Sequence, residues 1–207
     1  MKGTPTKLVC LRRPSGRVSR RCSVALGAFG VAVYLLSAAA PGSATVAASV
    51  GISAGTLTAT IPGSVGFTGV TLNGQDQATT GTLAIDVKDA SGSGSGWKLQ
   101  ATSTTFKDAG THTLATSATT IATSSVTDSC DTGATCSTGD TNVSYPYTLP
   151  AATTAPTATT FYNAQANSGM GNQTVTPTFT VALPATTYAP AGGSYTSTWT
   201  ITYAAGP

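Results

Sequence analysis

Apolar residues in this chain recur at every second position and show no sustained helical spacing, which confines it to β structure. Leu57, Ala59 and Ile61 line one side of a segment, and so do Leu83, Ile85 and Val87. Val143, Tyr145, Tyr147 and Leu149 repeat the pattern, as do Val175, Phe179, Val181 and Leu183. Successive strand side chains point to opposite faces, so each set presents one apolar face to a core. Threonine dominates the chain beyond residue 44, Glu is absent and every Arg lies at or before Arg21. β-Branched residues favour strands over helices. Gly, Ser, Asn and Asp separate the segments, most densely in Ser91-Gly92-Ser93-Gly94-Ser95-Gly96. Short strands punctuated by turns predict an all-β fold, a single-domain antiparallel β-sandwich. Pro146 and Pro177 fall inside strand-like runs, which places those strands at edges or at bulges.

The two tryptophans sit in segments of this kind. In Gly96-Trp97-Lys98-Leu99-Gln100-Ala101, Trp97, Leu99 and Ala101 share a face opposite Lys98 and Gln100. Near the C-terminus Tyr195, Trp199, Ile201 and Tyr203 share a face opposite a row of threonines. A Trp on the inward face of a strand buries a large apolar area. Strict alternation therefore predicts that Trp97 and Trp199 are both largely buried, with Leu99 and Ile201 in the same core, on strands that lie close in space. The alternative role for such rings is stacking on sugars at a surface.

This arrangement resembles the WxL domain of Gram-positive surface proteins, which carries two Trp-x-Leu motifs, the second close to its C-terminus. Trp97-Lys98-Leu99 matches the first, and Trp199-Thr200-Ile201 resembles the second with Ile in place of Leu, a swap that keeps apolar volume. The glycine-rich turn before Trp97, Tyr162-Asn163-Ala164 followed by Gly169-Met170-Gly171, and Leu183-Pro184-Ala185 extend the likeness over residues 52–205. The resemblance implies non-covalent attachment to cell-wall peptidoglycan or another surface glycan, and the motifs need not touch glycan to serve it.

The N-terminus predicts export. Seven Lys and Arg and no acidic residue occupy positions 1–21, the apolar run Val24–Ala40 follows, and then the small residues Pro41–Ala48. Basic, apolar and small-residue regions in that order form a secretory signal peptide. Residues 1–48 are assigned to signal peptide and cleavage region, with cleavage after Ala44, Ala47 or Ala48, and 49–207 to the WxL-like domain. The membrane is then met only through the signal segment before cleavage; an uncleaved anchor is the rival reading. Beyond residue 44 three lysines face seven aspartates, so the charge becomes 3 − 7 = −4. Clustered Lys and Arg are needed to neutralise phosphates, which excludes nucleic-acid partners. Leu183-Pro184-Ala185-Thr186-Thr187 approaches a sortase signal, but no apolar span or basic tail follows it in this sequence.

Catalytic chemistry is sparse. His112 is the one histidine, expected as a surface or turn residue, and no Gly-x-Ser-x-Gly elbow accompanies it. Asp86 and Asp89 are expected to point away from the apolar face of their strand, with Asp89 opening the turn toward Ser91. Cys130 and Cys136 are expected to pair in an oxidising exterior. Asp128, Asp131 and Asp140 beside them are expected to form a solvated acidic loop, since their spacing lacks a calcium-loop pattern. No catalytic, cofactor or metal residue is assigned. The sequence thus predicts a secreted, extracellular, non-enzymatic protein of the cell wall and cell surface. Its alternative is a self-associating structural subunit or adhesin of a surface layer or filament, partnered by other surface proteins or by itself. A secreted hydrolase is the weakest reading.

Overall fold

The computed structural model describes residues 43–189 and 193–207; the basic and apolar regions of the expected signal peptide lie outside them. The chain divides into two units, Met1–Ser49 and Val50–Pro207, and every strand belongs to the second. Ten strands follow in order: β1 (Leu57–Thr60), β2 (Gln77–Thr82), β3 (Ile85–Asp89), β4 (Trp97–Thr104), β5 (Thr119–Cys130), β6 (Tyr147–Thr148), β7 (Ala151–Ala152), β8 (Thr159–Ala164), β9 (Gly171–Leu183) and β10 (Trp199–Ala205). The described residues form no helix. The protein is all-β, as its period-two patterning dictates.

The strands make two sheets. The larger runs β1-β3-β9-β5-β6, and β2 pairs with β9 beyond the end of β3. The smaller runs β10-β4-β7, with β8 also paired to β4. All pairings are antiparallel except the short β4–β7 contact. Ile85, Val87, Ile121, Val175 and Phe179 of the larger sheet pack with Trp97, Leu99, Ala101 and Phe161 of the smaller one in a single core. The Phe161 and Phe179 rings meet across it at 6.2 Å between centroids. A bulge between Leu99 and Gln100 in the β4–β8 register lets the consecutive Phe161 and Tyr162 both enter the interior.

Both prolines sit where a missing N–H is harmless. Pro146 immediately precedes the edge strand β6. Pro177 lies in the central strand β9, level with the irregularity between Ile121 and Val126 of β5 and with the break between β2 and β3. Asp89 differs from its expected outward placement. It is two residues beyond Val87, so it points inward and is only 4% exposed. Its Oδ1 accepts the backbone N–H and the hydroxyl of Ser91, at 2.9 and 2.6 Å, and so opens the serine-glycine turn as expected.

Candidate functional site

Register separates the two tryptophans. Trp97 faces Ala205, and Trp199 faces Ser103, on the paired strands β4 and β10. Their strands are neighbours, but a six-residue offset at strand rise puts their backbone positions about 20 Å apart along the sheet. Trp97 and Leu99 are completely buried. Trp199 and Ile201 pack on the same core but stay partly exposed, because β10 pairs with β4 alone. Tyr203, on the same face, is 40% exposed. Trp97 is therefore wholly enclosed, while Trp199 packs on the core and keeps part of its surface open.

At the Trp97 end the ring fastens the loop that carries Gly169. Its Nε1–H donates to the Gly169 carbonyl at 2.8 Å, and Gln173 Nε2 donates to the same oxygen at 2.6 Å. The Tyr162 ring lies 5.9 Å away. Gly169 has φ of 75°, and a Cβ there would meet Trp97 Nε1 at 2.5 Å, so only glycine allows this close approach. Asp128 Oδ2 accepts the Gly139 N–H at 2.6 Å and the Tyr162 hydroxyl at 3.0 Å. Burial pushes the Asp128 carboxyl above its ordinary pKa; burial and the neighbouring Asp128 charge push the Tyr162 hydroxyl up. Asp131 Oδ1 accepts the Thr174 hydroxyl at 2.7 Å. Cys130 and Cys136 form the expected disulfide. The expected solvated acidic loop is thus corrected: Asp128 and Asp131 serve as acceptors that tie the loop to the sandwich. Among the described residues, no group of three or more His, Cys, Asp or Glu is arranged to hold a metal ion.

The Trp199 end is open. Trp199 packs edge-on against Phe179 at 4.7 Å, and near Phe67 at 6.0 Å and Phe106 at 6.4 Å. Phe67 and Phe106 continue outward into a cleft of about 300 Å³. Leu114, Leu183, Tyr188 and Tyr195 belong to its apolar lining, with the hydroxyls of Thr68, Thr187 and Ser194 among them; among the described residues no charged side chain lines it. Tyr188 is 64% exposed, yet it is held in place. Its ring stacks on His112, with centroids 4.1 Å apart and planes at 15°, and its carbonyl accepts the Tyr195 hydroxyl at 3.0 Å.

His112 is itself fixed. Its Nδ1 lies 2.6 Å from Asp108 Oδ2, while Asp108 Oδ1 accepts the backbone N–H groups of Gly110 and His112 at 2.9 and 3.0 Å. These bonds, chiefly that to the His112 side chain, lower the Asp108 pKa. The His112 side chain is 39% exposed, in the turn where it was expected. Among the described residues, its side chain bonds to Asp108 and stacks on Tyr188, and no hydroxyl nucleophile bonds to it. Apart from the Asp108–His112 pair, the chemistry of this end is that of aromatic rings and hydroxyls.

Sequence reading missed Phe67, Phe106 and Tyr188, which lie outside the alternating strands. Asp108 carried a usable signal: Asp108-Ala109-Gly110 is a turn in which an aspartate side chain caps the backbone two residues on. Tyr195, expected on the inward face with Trp199, packs on the cluster of Leu114, Ala118 and Val181 and also lines the cleft.

Comparison with known proteins agrees with this architecture. The model of the WxL domain family, described as surface cell wall-binding, matches residues 53–203. No curated protein and no solved structure matches the chain. The match takes in both Trp motifs, nearly all of the sandwich and most of the open cleft, and the chain belongs to the WxL domain family of surface cell wall-binding proteins.

Proposed function

We propose that this is an exported, non-enzymatic protein that attaches non-covalently to peptidoglycan, using the surface at the Trp199 end of its domain. Residues 1–48 act as the signal peptide and cleavage region, and residues 49–207 form the wall-binding domain. Trp97, Leu99, Trp199 and Ile201 serve attachment by folding the domain. The observation that carries this reading is the placement of Trp199: it packs beside Phe67 and Phe106, the two rings that continue into the open cleft. A core residue in that position shapes a binding surface from beneath.

The test is co-sedimentation of residues 49–207 with purified peptidoglycan, with reducing ends assayed in the supernatant. Recovery in the pellet with no release of sugar ends supports the reading. Recovery entirely in the supernatant at low and moderate salt removes the binding claim. Released sugar ends that disappear in His112→Ala would make the protein a hydrolase.

One observation favours self-association as a second reading. Val50 and Ile52 lie two residues apart in an extended segment ahead of β1 and are 83% and 90% exposed. Exposed strand-like apolar segments can pair with the edge of another copy. Sedimentation velocity over a wide concentration range decides: a monomer throughout excludes it.

A further inference from the structure

The cleft beside Tyr188 is specific enough in its chemistry to name the part of the wall it takes. Among the described residues its lining carries no charge, and the chain beyond residue 44 is net negative, 3 − 7 = −4. A phosphate-bearing polymer or the carboxylates of a peptide stem would find no counter-charge there. The cleft therefore suits a neutral unit. Tyr188 supplies an exposed ring whose position is fixed by the stack on His112, and His112 is fixed in turn by Asp108. A pre-positioned ring loses little freedom when a ligand lands on it. The axial C–H face of a pyranose is the neutral surface that packs on such a ring. Among the described residues the hydroxyls of Thr68, Thr187 and Ser194 have no hydrogen-bond partner, and they line the same cleft, where they can meet sugar hydroxyls. Phe67, Leu114 and Leu183 give the same cleft an apolar wall. A plain hexose has nothing to place against that wall, whereas the methyl of an acetamido group fits it.

We propose that this cleft holds one N-acetylated amino-sugar unit of the wall glycan, its ring stacked on Tyr188 and its acetamido methyl against Phe67, Leu114 and Leu183. This rests on the peptidoglycan reading above and assigns the contact to the glycan strand rather than the peptide. Tyr188 is the contact residue; His112 and Asp108 are positioning residues, which hold the ring without touching sugar.

The experiment titrates residues 49–207 with the trimer of N-acetylglucosamine, the corresponding glucose trimer and the deacetylated glucosamine trimer, following Tyr and Phe signals by NMR. The same oligosaccharides are then used as competitors in peptidoglycan co-sedimentation. The N-acetylated trimer should bind, shift residues of the cleft and displace the protein from peptidoglycan. The glucose trimer should bind about tenfold more weakly or less, because it leaves the apolar wall unfilled. Tyr188→Ala should lose about tenfold in affinity with an unchanged Tm, since the side chain is largely exposed; Tyr188→Phe should keep the stacking and most of the affinity. Equal sedimentation of wild type and Tyr188→Ala, or no competition by the N-acetylated trimer, overturns the inference and leaves peptidoglycan attachment standing. Failure of the wild type to sediment removes the peptidoglycan reading, and the free-trimer titration then decides the cleft assignment alone. Equal affinity for the three trimers overturns the acetamido assignment.

Discussion

Replacing Trp97 by alanine should cost the domain much of its stability. The ring is fully buried against Tyr162 and beside the Gly169 loop, so truncation removes its transfer energy and leaves a cavity. Loss of a buried Trp in this setting costs about 3–5 kcal/mol. The indole N–H bond adds little to that figure, because Gln173 Nε2 still donates to the Gly169 carbonyl once the indole is gone. Trp97→Phe should therefore be much milder, about 1–2 kcal/mol, since a ring remains and no carbonyl is stranded. For a domain of this size each kcal/mol moves Tm by about 2–4 °C, so Trp97→Ala should melt roughly 6–20 °C below wild type. Thermal and urea unfolding followed by Tyr fluorescence and far-UV circular dichroism measures both variants. A Trp97→Ala protein that keeps its Tm within about 2 °C, yet no longer binds peptidoglycan, would refute the argument and make Trp97 a contact residue.

Three further outcomes follow from the same contacts. Cys130→Ser with Cys136→Ser opens a short loop and should lower stability by about 2 kcal/mol; the wild type should fall to the same Tm when reduced, and a reductant-insensitive Tm would count against it. Asp128 has a folded pKa raised by burial, so it contributes stability that is present below its unfolded value near 3.8 and lost as pH rises through the folded value. Asp128→Asn should accordingly gain on wild type as pH rises above about 4 in paired melting curves, and a difference that moves the other way would reverse the assignment. Export should leave a chain whose intact mass begins after Ala44, Ala47 or Ala48, and an unprocessed mass would restore the membrane-anchor reading.

How much was legible follows from the range of each signal. Alternation is local, so Ile85, Val87, Trp97, Leu99 and Phe179 could be placed in the core from their spacing alone. Asp89 keeps the same phase as Val87 and was misplaced because its polarity outweighed its position; the Ser91 N–H and hydroxyl that satisfy it belong to the following turn. Register is not local. Nothing in either Trp segment says that Trp97 meets Ala205, and so the separation of the rings could not be read. The exposure of Trp199 depends on β10 having one partner, another non-local fact. The cleft was the least visible feature, since Phe67, Phe106 and Tyr188 converge from three loops without periodicity. The resemblance to the WxL family carried the functional reading, because the residues alone offered a thin catalytic inventory and no ligand.

The central claim, non-covalent attachment to peptidoglycan, is tested most directly on the producing cells. Walls are isolated, washed in salt, extracted with urea and only then digested, with the protein followed by immunoblot and intact mass at each step. The account predicts that the protein stays with salt-washed walls and leaves whole in urea at the mass of the processed chain, with no sugar or peptide adduct. Recovery wholly in the culture medium, or release only on wall digestion with wall fragments attached, would contradict it.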